Sequence, residues 1–293
     1  MSNYLHHTAK SKVERFAFVN ENKDNAMLFV KRDDLIHNEI SGNKFRKLKF
    51  NLERAQRNNC EALVTYGGAY SNHLLAVASI CKMEGFRSIA FVRGDELHKD
   101  SNKMLQRCFE LGMELCFLPR SEYKNQKHRN EIALYNGQKT LFIPEGGANR
   151  EGVLGCSDII FETDNNYDYI FVAQGTSTTS LGIYAGMSKN CKLVVVPVLK
   201  SYDSIKEMKL LSNLANITLD TSRLLVLDHY HFGGYAKSTQ ELDDFIKSFN
   251  ALNQFQVEKV YTGKVLFAMH AFLSQILGRK KALFVHTGGL YNV

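Results

Sequence analysis

What the chain lacks narrows the class of protein. The 293 residues include no tryptophan, three prolines and no apolar run near the roughly 20 residues of a membrane-spanning helix. The first residues lack the apolar core of a secretory signal peptide. Six scattered cysteines form no C-x-x-C pair, as is typical of reduced, buried thiols. We therefore expect a cytoplasmic protein without a membrane or metal site.

The net positive charge does not by itself identify a binding partner. The formal net charge is +7 and the pI about 9.0, which fits nucleic acid, an anionic ligand or no partner at all. The basic residues form no known nucleic-acid motif, and the cations at residues 279–281 indicate a solvated turn. We predict no nucleic-acid partner.

Short apolar segments alternate with helical patterns along the whole chain, which predicts an α/β fold with mostly parallel sheets covered by helices. No linker rich in Gly, Pro or Ser divides it. The predicted strands are residues 27–32, 62–66, 88–92, 114–118, 139–144, 169–173, 192–196, 223–227 and 282–286. The predicted helices are residues 48–57, 71–84, 101–111, 241–249 and 263–277, with one ending at Met187 and one beginning at Ser204.

Lys44 lies where a loop enters the helix predicted at residues 48–57. The helix dipole and the cations Arg46 and Lys47 disfavour its charged form and lower its pKa. Such a lysine is a nucleophilic amine that can form a Schiff base with an aldehyde. The alternative is a solvated basic helix start.

Two further strand-to-helix turns carry candidate anion sites. Ser71, Asn72 and His73 follow two glycines, and a helix start there suits a carboxylate. The alternatives are a plain Ser cap and an ordinary histidine on a helix face. Residues 175–179, Gly-Thr-Ser-Thr-Thr, suit a phosphate, whereas the Gly-Lys-Ser/Thr of a nucleotide P-loop does not follow. A polar loop without a ligand is the alternative.

Eight short motifs occur in order along the chain: residues 30–34 (VKRDD), 42–47 (GNKFRK), 66–73 (YGGAYSNH), 143–147 (IPEGG), 175–179 (GTSTT), 232–235 (FGGY), 261–264 (YTGK) and 286–289 (HTGG). In this order they resemble one family, the pyridoxal-phosphate (PLP) enzymes grouped as 1-aminocyclopropane-1-carboxylate deaminase and D-cysteine desulfhydrase. The resemblance extends over residues 30–290.

The resemblance implies a two-lobed, three-layer αβα architecture of the tryptophan synthase β-like fold (PLP fold type II). It divides the chain into a large cofactor-binding domain, residues 1–47 plus 146–293, and a small domain, residues 48–145. It also implies a homodimer and a small amino-acid substrate.

The resemblance further assigns roles to residues. The catalytic residues it implies are Lys44, Ser71, Tyr235 and Tyr261, and Ser71, Asn72 and His73 bind the substrate. The cofactor-binding residues it implies are Lys44, Lys47, Asn72, Gly175, Thr176, Ser177, Thr178, Thr179 and Thr262. Core packing is the alternative for either tyrosine. The chain departs from the pattern at His73, where the deaminase has Gln, and at Ser177 and Thr178, which fill Gly-like positions.

Thr262 bears on the choice of reaction. The deaminase has Glu at this position, beside the pyridine nitrogen, whereas desulfhydrase-like members have Thr. A carboxylate keeps that nitrogen protonated, and opening a cyclopropane ring demands the stronger electron sink. The sequence therefore favours a D-cysteine desulfhydrase, which forms pyruvate, sulfide and ammonia. The alternatives are the cyclopropane deaminase and, in another class, a non-catalytic PLP- or anion-binding module.

Overall fold

The computed structural model describes residues 8–18, 26–40, 42–276 and 278–289. Predictions that fall on residues 1–7, Ser41, Leu277 and 290–293 lie outside them.

The strands are β1 (Val13–Arg15), β2 (Ala26–Lys31), β3 (Ala62–Gly67), β4 (Arg87–Arg93), β5 (Glu114–Leu118), β6 (Ile132–Tyr135), β7 (Gln138–Phe142), β8 (Tyr169–Gln174), β9 (Lys192–Pro197), β10 (Leu224–Val226) and β11 (Lys280–Val285). The helices are α1 (Asn43–Arg57), α2 (Asn72–Glu84), α3 (Lys103–Glu110), α4 (Arg120–Gln126), α5 (Arg150–Phe161), α6 (Thr178–Gly186), α7 (Ser204–Ala215), α8 (Gln240–Leu252) and α9 (Thr262–Leu273).

The described strands form two sheets. A six-stranded sheet has the order β1-β2-β11-β8-β9-β10, and a five-stranded sheet has the order β5-β4-β3-β7-β6. Only the edge strands β1 and β6 pair antiparallel within the described chain; every other pair is parallel. The predicted α/β class is confirmed.

The central strands are continuous apolar runs because helices cover both sheet faces. All six residues of β3 are buried, and so are five of six in both β8 and β9. Ligands of such sheets bind beyond the carboxyl ends of the strands. The turns after β3 and β8 lie at those ends, and they hold the two candidate anion sites.

Helix α1 begins at Asn43, five residues before the predicted start. Phe45, Leu48 and Leu52 form an apolar stripe at helical spacing and are buried. The predicted domain boundary at residue 48 falls inside this helix. The strands of the five-stranded sheet lie between residues 62 and 142, within the predicted small domain. The domain division stays a prediction.

Glycines bring α1, α5 and α6 into close contact. A Cβ at Gly155 of α5 would lie 1.9 Å from the carbonyl oxygen of Arg46 on α1. A Cβ at Gly182 of α6 would lie 2.4 Å from the Cβ of Cys156 on α5. Because no larger residue fits at these contacts, the three helices hold the starts of α1 and α6 close together.

Candidate active site

The start of α1 is held against the chain's closing motif. Gly42 has φ +62° and ψ −135°, a conformation that is essentially confined to glycine. The backbone N–H of Asn43 donates to the carbonyl of Thr287 at 3.2 Å. This contact places Lys44 in the first turn of α1, next to residues 286–289.

Lys44 has the lowered pKa that the sequence predicts, but for another reason. Burial is the main cause, and Lys47 acts in the opposite direction through a side-chain hydrogen bond. The sequence suggested that the Arg46 charge lowers the Lys44 pKa. It does not, because two carboxylates balance the charge of the Arg46 guanidinium. The alternative of a solvated basic helix start does not hold, since Arg46 and Lys47 are buried.

Those carboxylates belong to Asp33 and Glu162. Arg46 Nη2 lies 2.8 Å from Asp33 Oδ1 and 2.8 Å from Glu162 Oε2, and Lys31 Nζ lies 2.9 Å from Glu162 Oε2. Burial alone would raise the pKa of Asp33, but the Arg46 cation, with Ser11 and Lys31, outweighs it and lowers that pKa. The network therefore fastens α1 to β2 and α5.

Lys47 connects α1 to two other parts of the site. Its Nζ donates to the carbonyl of Gly146 at 3.1 Å and to Thr176 Oγ1 at 3.2 Å. Burial and the neighbouring Lys44 hold its pKa well below the usual value. A bound anion would stabilise the charged form of this ammonium.

The loop after β8 is a cluster of hydroxyls. Thr176 Oγ1 lies 3.3 Å from Thr178 Oγ1, and Asn43 Nδ2 donates to Thr179 Oγ1 at 2.8 Å. These contacts join the starts of α1 and α6. Three hydroxyls and a cation thereby surround one helix N-terminus.

Ser177 differs from the neighbouring threonines. Its Oγ accepts from Gln174 Nε2 at 3.0 Å and lies 3.0 Å from the hydroxyl of Tyr202. Ser177 is the cap residue of α6, yet its side chain forms no capping bond among the described residues. Its contribution to a phosphate site would therefore be a backbone N–H.

The turn after β3 presents a serine and a histidine. Ser71 is the cap residue of α2, which Asn72 begins, but within residues 42–276 its hydroxyl makes no capping bond. A plain Ser cap is therefore not what the structure shows. His73 is 2% exposed, and its Nε2 lies 3.0 Å from Thr65 Oγ1. Burial, with Lys44 and Lys47, lowers the His73 pKa well below its usual value, so the ring is neutral.

Tyr261 lies over the loop after β8, and Tyr235 packs against Tyr261. A Cβ at Gly175 would lie 3.3 Å from Tyr261 Cε1, so the Tyr261 ring rests on that loop. The rings of Tyr235 and Tyr261 pack edge to face, with centroids 5.9 Å apart. Burial and Tyr235 raise the Tyr261 pKa well above its usual value. The Tyr261 phenol therefore holds its proton.

Residues 6–288 match the family described as "Pyridoxal-phosphate dependent enzyme". The chain belongs to this family. It is therefore a PLP-dependent enzyme, which confirms the predicted cofactor and enzyme class and sets aside the non-catalytic alternative. A Pyrococcus horikoshii protein named "Putative 1-aminocyclopropane-1-carboxylate deaminase" is 30% identical over 281 residues, or 90% of this chain and 85% of the relative.

Two solved structures show the fold. One is an "ACC deaminase homologue" with a TM-score of 0.78 and 23% sequence identity. The match covers 99% of this chain and 95% of the homologue. A hydrogen sulfide-producing enzyme from Fusobacterium nucleatum has a TM-score of 0.69 at 13% identity, with 100% of each chain covered. The predicted fold is confirmed.

The residues around Lys44 fit PLP. The phosphate needs a cation, hydroxyls and backbone donors, and Lys47, the three threonines and the start of α6 supply that set. The buried Nδ1 of His73 has no hydrogen-bond partner among the described residues, so a ligand can supply one. Lys44, with its lowered pKa, would bind the cofactor's aldehyde carbon.

The sequence missed four residues that the structure brings to this site. Asn43 and Cys156 flank Thr179, and burial raises the pKa of the Cys156 thiol to about 11. Glu145 accepts from the hydroxyl of Tyr123 at 2.8 Å, and its charge acts on Lys44. Glu258 contacts Thr262. Asn43 and Glu145 lie in the motifs at residues 42–47 and 143–147, which gave neither residue a role. Glu258 had a signal of its own, since a carboxylate just before a helix is a typical cap.

The described residues contain no group of His, Cys, Asp and Glu that could hold a metal ion. None of the helices in the described part of the chain is long and apolar enough to cross a membrane.

Proposed function

We propose that this PLP-dependent enzyme is a lyase that acts on D-cysteine and water to form pyruvate, sulfide and ammonia. Thr262 carries the proposal: a hydroxyl, not a carboxylate, occupies the position that separates desulfhydrase-like members from the deaminase. Sulfide is a good leaving group, so its elimination needs less stabilisation of negative charge than the opening of a carbon–carbon bond.

The cofactor, when bound, supplies an electron sink for negative charge at the substrate α-carbon. The protein residues bind, orient and move protons around it. Ser71, Asn72 and His73 are proposed to bind the substrate carboxylate at the start of α2. Lys44, which would hold the cofactor, is also proposed to accept the α-proton when its amine is free.

The tyrosines have complementary roles. Tyr261 keeps its proton because it is buried, so it can donate a hydrogen bond to the substrate but is a poor base. Tyr235 is 43% exposed and covers Tyr261 from the solvent side. We expect Tyr261→Phe to lower kcat more than it lowers cofactor retention, and Tyr235→Phe to act in the same direction.

A two-substrate assay tests the proposal. The purified enzyme is supplied with D-cysteine and with 1-aminocyclopropane-1-carboxylate, while sulfide and 2-oxobutanoate are measured. L-cysteine serves as the control for chirality, and Lys44→Ala as the control for background chemistry. Sulfide release from D-cysteine that depends on Lys44 is the expected result. Release of 2-oxobutanoate without sulfide would overturn the proposal.

The second candidate is 1-aminocyclopropane-1-carboxylate deaminase. The name of the relative at 30% identity favours it. The same assay decides between the two, because each substrate gives a different product. Thr262→Glu provides a further comparison: if the residue sets the choice, this variant gains 2-oxobutanoate release at the expense of sulfide.

A further inference from the structure

Glu258 and Thr262 form a closed hydrogen-bonded unit at the start of α9. Glu258 Oε1 accepts from the N–H of Tyr261 at 2.9 Å and from that of Thr262 at 2.8 Å. It also accepts from the Thr262 hydroxyl at 3.0 Å. In return, the Glu258 N–H donates to Thr262 Oγ1 at 3.0 Å.

This unit settles which way the Thr262 hydroxyl points. A hydroxyl has one proton and two acceptor lone pairs. The carboxylate takes the proton, because a hydrogen bond to a charged acceptor is about twice as strong as a neutral one. The Glu258 N–H occupies one lone pair. Thr262 Oγ1 therefore has one lone pair left, so it can only accept a further hydrogen bond.

We propose that Glu258 is a positioning residue that makes the Thr262 hydroxyl an acceptor for a protonated cofactor ring nitrogen. The inference rests on the proposed place of Thr262 beside that nitrogen. A neutral pyridine nitrogen is itself an acceptor, so it gains nothing from a hydroxyl whose proton is committed elsewhere. A protonated ring nitrogen donates to Oγ1 and is also attracted by the Glu258 charge.

Lys264 is a cation whose charge interacts with that of Glu258, and its Nζ donates to the carbonyls of His231 and Gly234, each at 2.8 Å. Tyr261 holds its proton and adds no charge. A carboxylate thus acts on the ring nitrogen through one intervening hydroxyl, where the deaminase places a carboxylate directly. This indirect contact gives a weaker electron sink than a direct carboxylate, which agrees with the proposed elimination of a good leaving group.

The test is the nitrogen-15 NMR spectrum of the holoenzyme loaded with PLP labelled at the ring nitrogen. At neutral pH we expect the resonance of a protonated pyridine. Glu258→Gln should move it toward the neutral position, since the amide oxygen can still accept from the backbone while the charge is lost. Thr262→Val should do the same and leaves the backbone N–H bonds to Glu258 in place. Thr262→Ser should restore the protonated signal.

A neutral resonance in the unmodified enzyme, or one that neither substitution moves, would overturn the inference. Circular dichroism and borohydride mapping of the cofactor on each variant separate this result from a folding or loading defect. If Glu258→Gln does not fold, the pair Thr262→Val and Thr262→Ser decides alone. The spectrum needs no substrate, so failure of the D-cysteine assay leaves it interpretable.

Discussion

At the scale of single residues, either Lys44 or Lys47 could be the lysine that binds the cofactor's aldehyde. Both ammonium groups are in the same buried cluster, and burial lowers both pKa values. Lys47 already has two hydrogen-bond partners, a carbonyl and a hydroxyl. We therefore propose that Lys44 reacts with the cofactor and that Lys47 faces its phosphate.

Borohydride trapping separates the two roles. Reduction fixes the cofactor to its lysine, and mass spectrometry of the digest identifies the peptide. We expect the modified peptide to contain Lys44 in the unmodified enzyme and in Lys47→Ala, and to be absent from Lys44→Ala. Lys47→Ala should instead lose cofactor faster on dialysis. A pyridoxyl group on Lys47 would contradict the assignment.

Thr179 and Ser177 form a matched pair for the phosphate. Thr179 Oγ1 accepts from Asn43, so its own proton can be donated, either to the Cys156 sulfur or to a bound phosphate. Losing one hydrogen bond to a charged group costs about 1.5–3 kcal/mol, or roughly 10- to 150-fold in Kd. We expect Thr179→Val to weaken PLP binding by this factor in equilibrium dialysis.

Ser177→Ala is the control for that experiment, because the Ser177 hydroxyl contacts Gln174 and Tyr202. It should change PLP affinity far less than Thr179→Val. Equal losses in the two variants would mean that loop geometry, not the Thr179 hydroxyl, holds the phosphate.

At the scale of elements, the start of α1 depends on one glycine. A Cβ at Gly42 would lie 1.8 Å from the carbonyl oxygen of Thr287, and the backbone there has φ +62°. Strain of this kind costs about 1–3 kcal/mol before any steric overlap. We expect Gly42→Ala to lower the free energy of unfolding by at least this amount and to weaken cofactor retention, as measured by urea unfolding and dialysis.

Gly85 provides the comparison. It also has a positive φ, +77°, but among the described residues no atom lies within 4 Å of a Cβ built there. Gly85→Ala should therefore show only the conformational penalty, roughly 1–2 kcal/mol, with unchanged cofactor retention. Comparable cofactor loss in both variants would mean that the contact between Gly42 and Thr287 is not what supports cofactor binding.

The elements also show what sequence patterns can and cannot predict. Central strands such as β8 and β9 were predicted because apolar runs bounded by polar turns are a strong local signal. Helix α5 was missed because Gly152 and Gly155 weaken its helical pattern. The β6–β7 hairpin was missed although its signal was present: Asn136 and Gly137 both have positive φ and form the preferred two-residue turn.

The contacts of the site are harder to predict than its elements. Lys47 and Thr176 are 129 residues apart in sequence, and only the packing of α1, α5 and α6 brings them together. The family motifs named both residues without indicating their contact. Burial, the main cause of the lowered Lys44 pKa, is likewise a property of the folded chain and not of its neighbours in sequence.

At the scale of the whole molecule, the homodimer and the cytoplasmic location stay predictions from the resemblance and the cysteine pattern. Sedimentation velocity checks the first: a homodimer should sediment with twice the chain mass of 33.3 kDa. A species of single chain mass across the micromolar range would contradict it.

The pH dependence of stability follows from groups buried at the site and beneath it. Burial and the neighbouring lysines lower the folded pKa of His73 below 6.5, so the unfolded chain binds a proton that the folded chain excludes. Stability therefore falls as the pH drops below about 6.5, by up to about 1.4 kcal/mol per pH unit for one proton. Asp33 has a folded pKa below 3.8, so the stability that it contributes is present above that pH and is lost as the pH falls further.

His73 and Asp33 affect stability in different pH ranges, so their contributions can be measured separately. Urea unfolding of the unmodified protein at pH 7.0, 5.5 and 4.5 should show a progressive loss that His73→Gln reduces, because glutamine cannot take up the proton. Asp33→Asn should instead destabilise the protein at all three values, since it leaves the buried Arg46 cation with one carboxylate partner fewer. If His73→Gln lost as much stability between pH 7.0 and 4.5 as the unmodified protein, the buried histidine would not be the group that senses pH in this range.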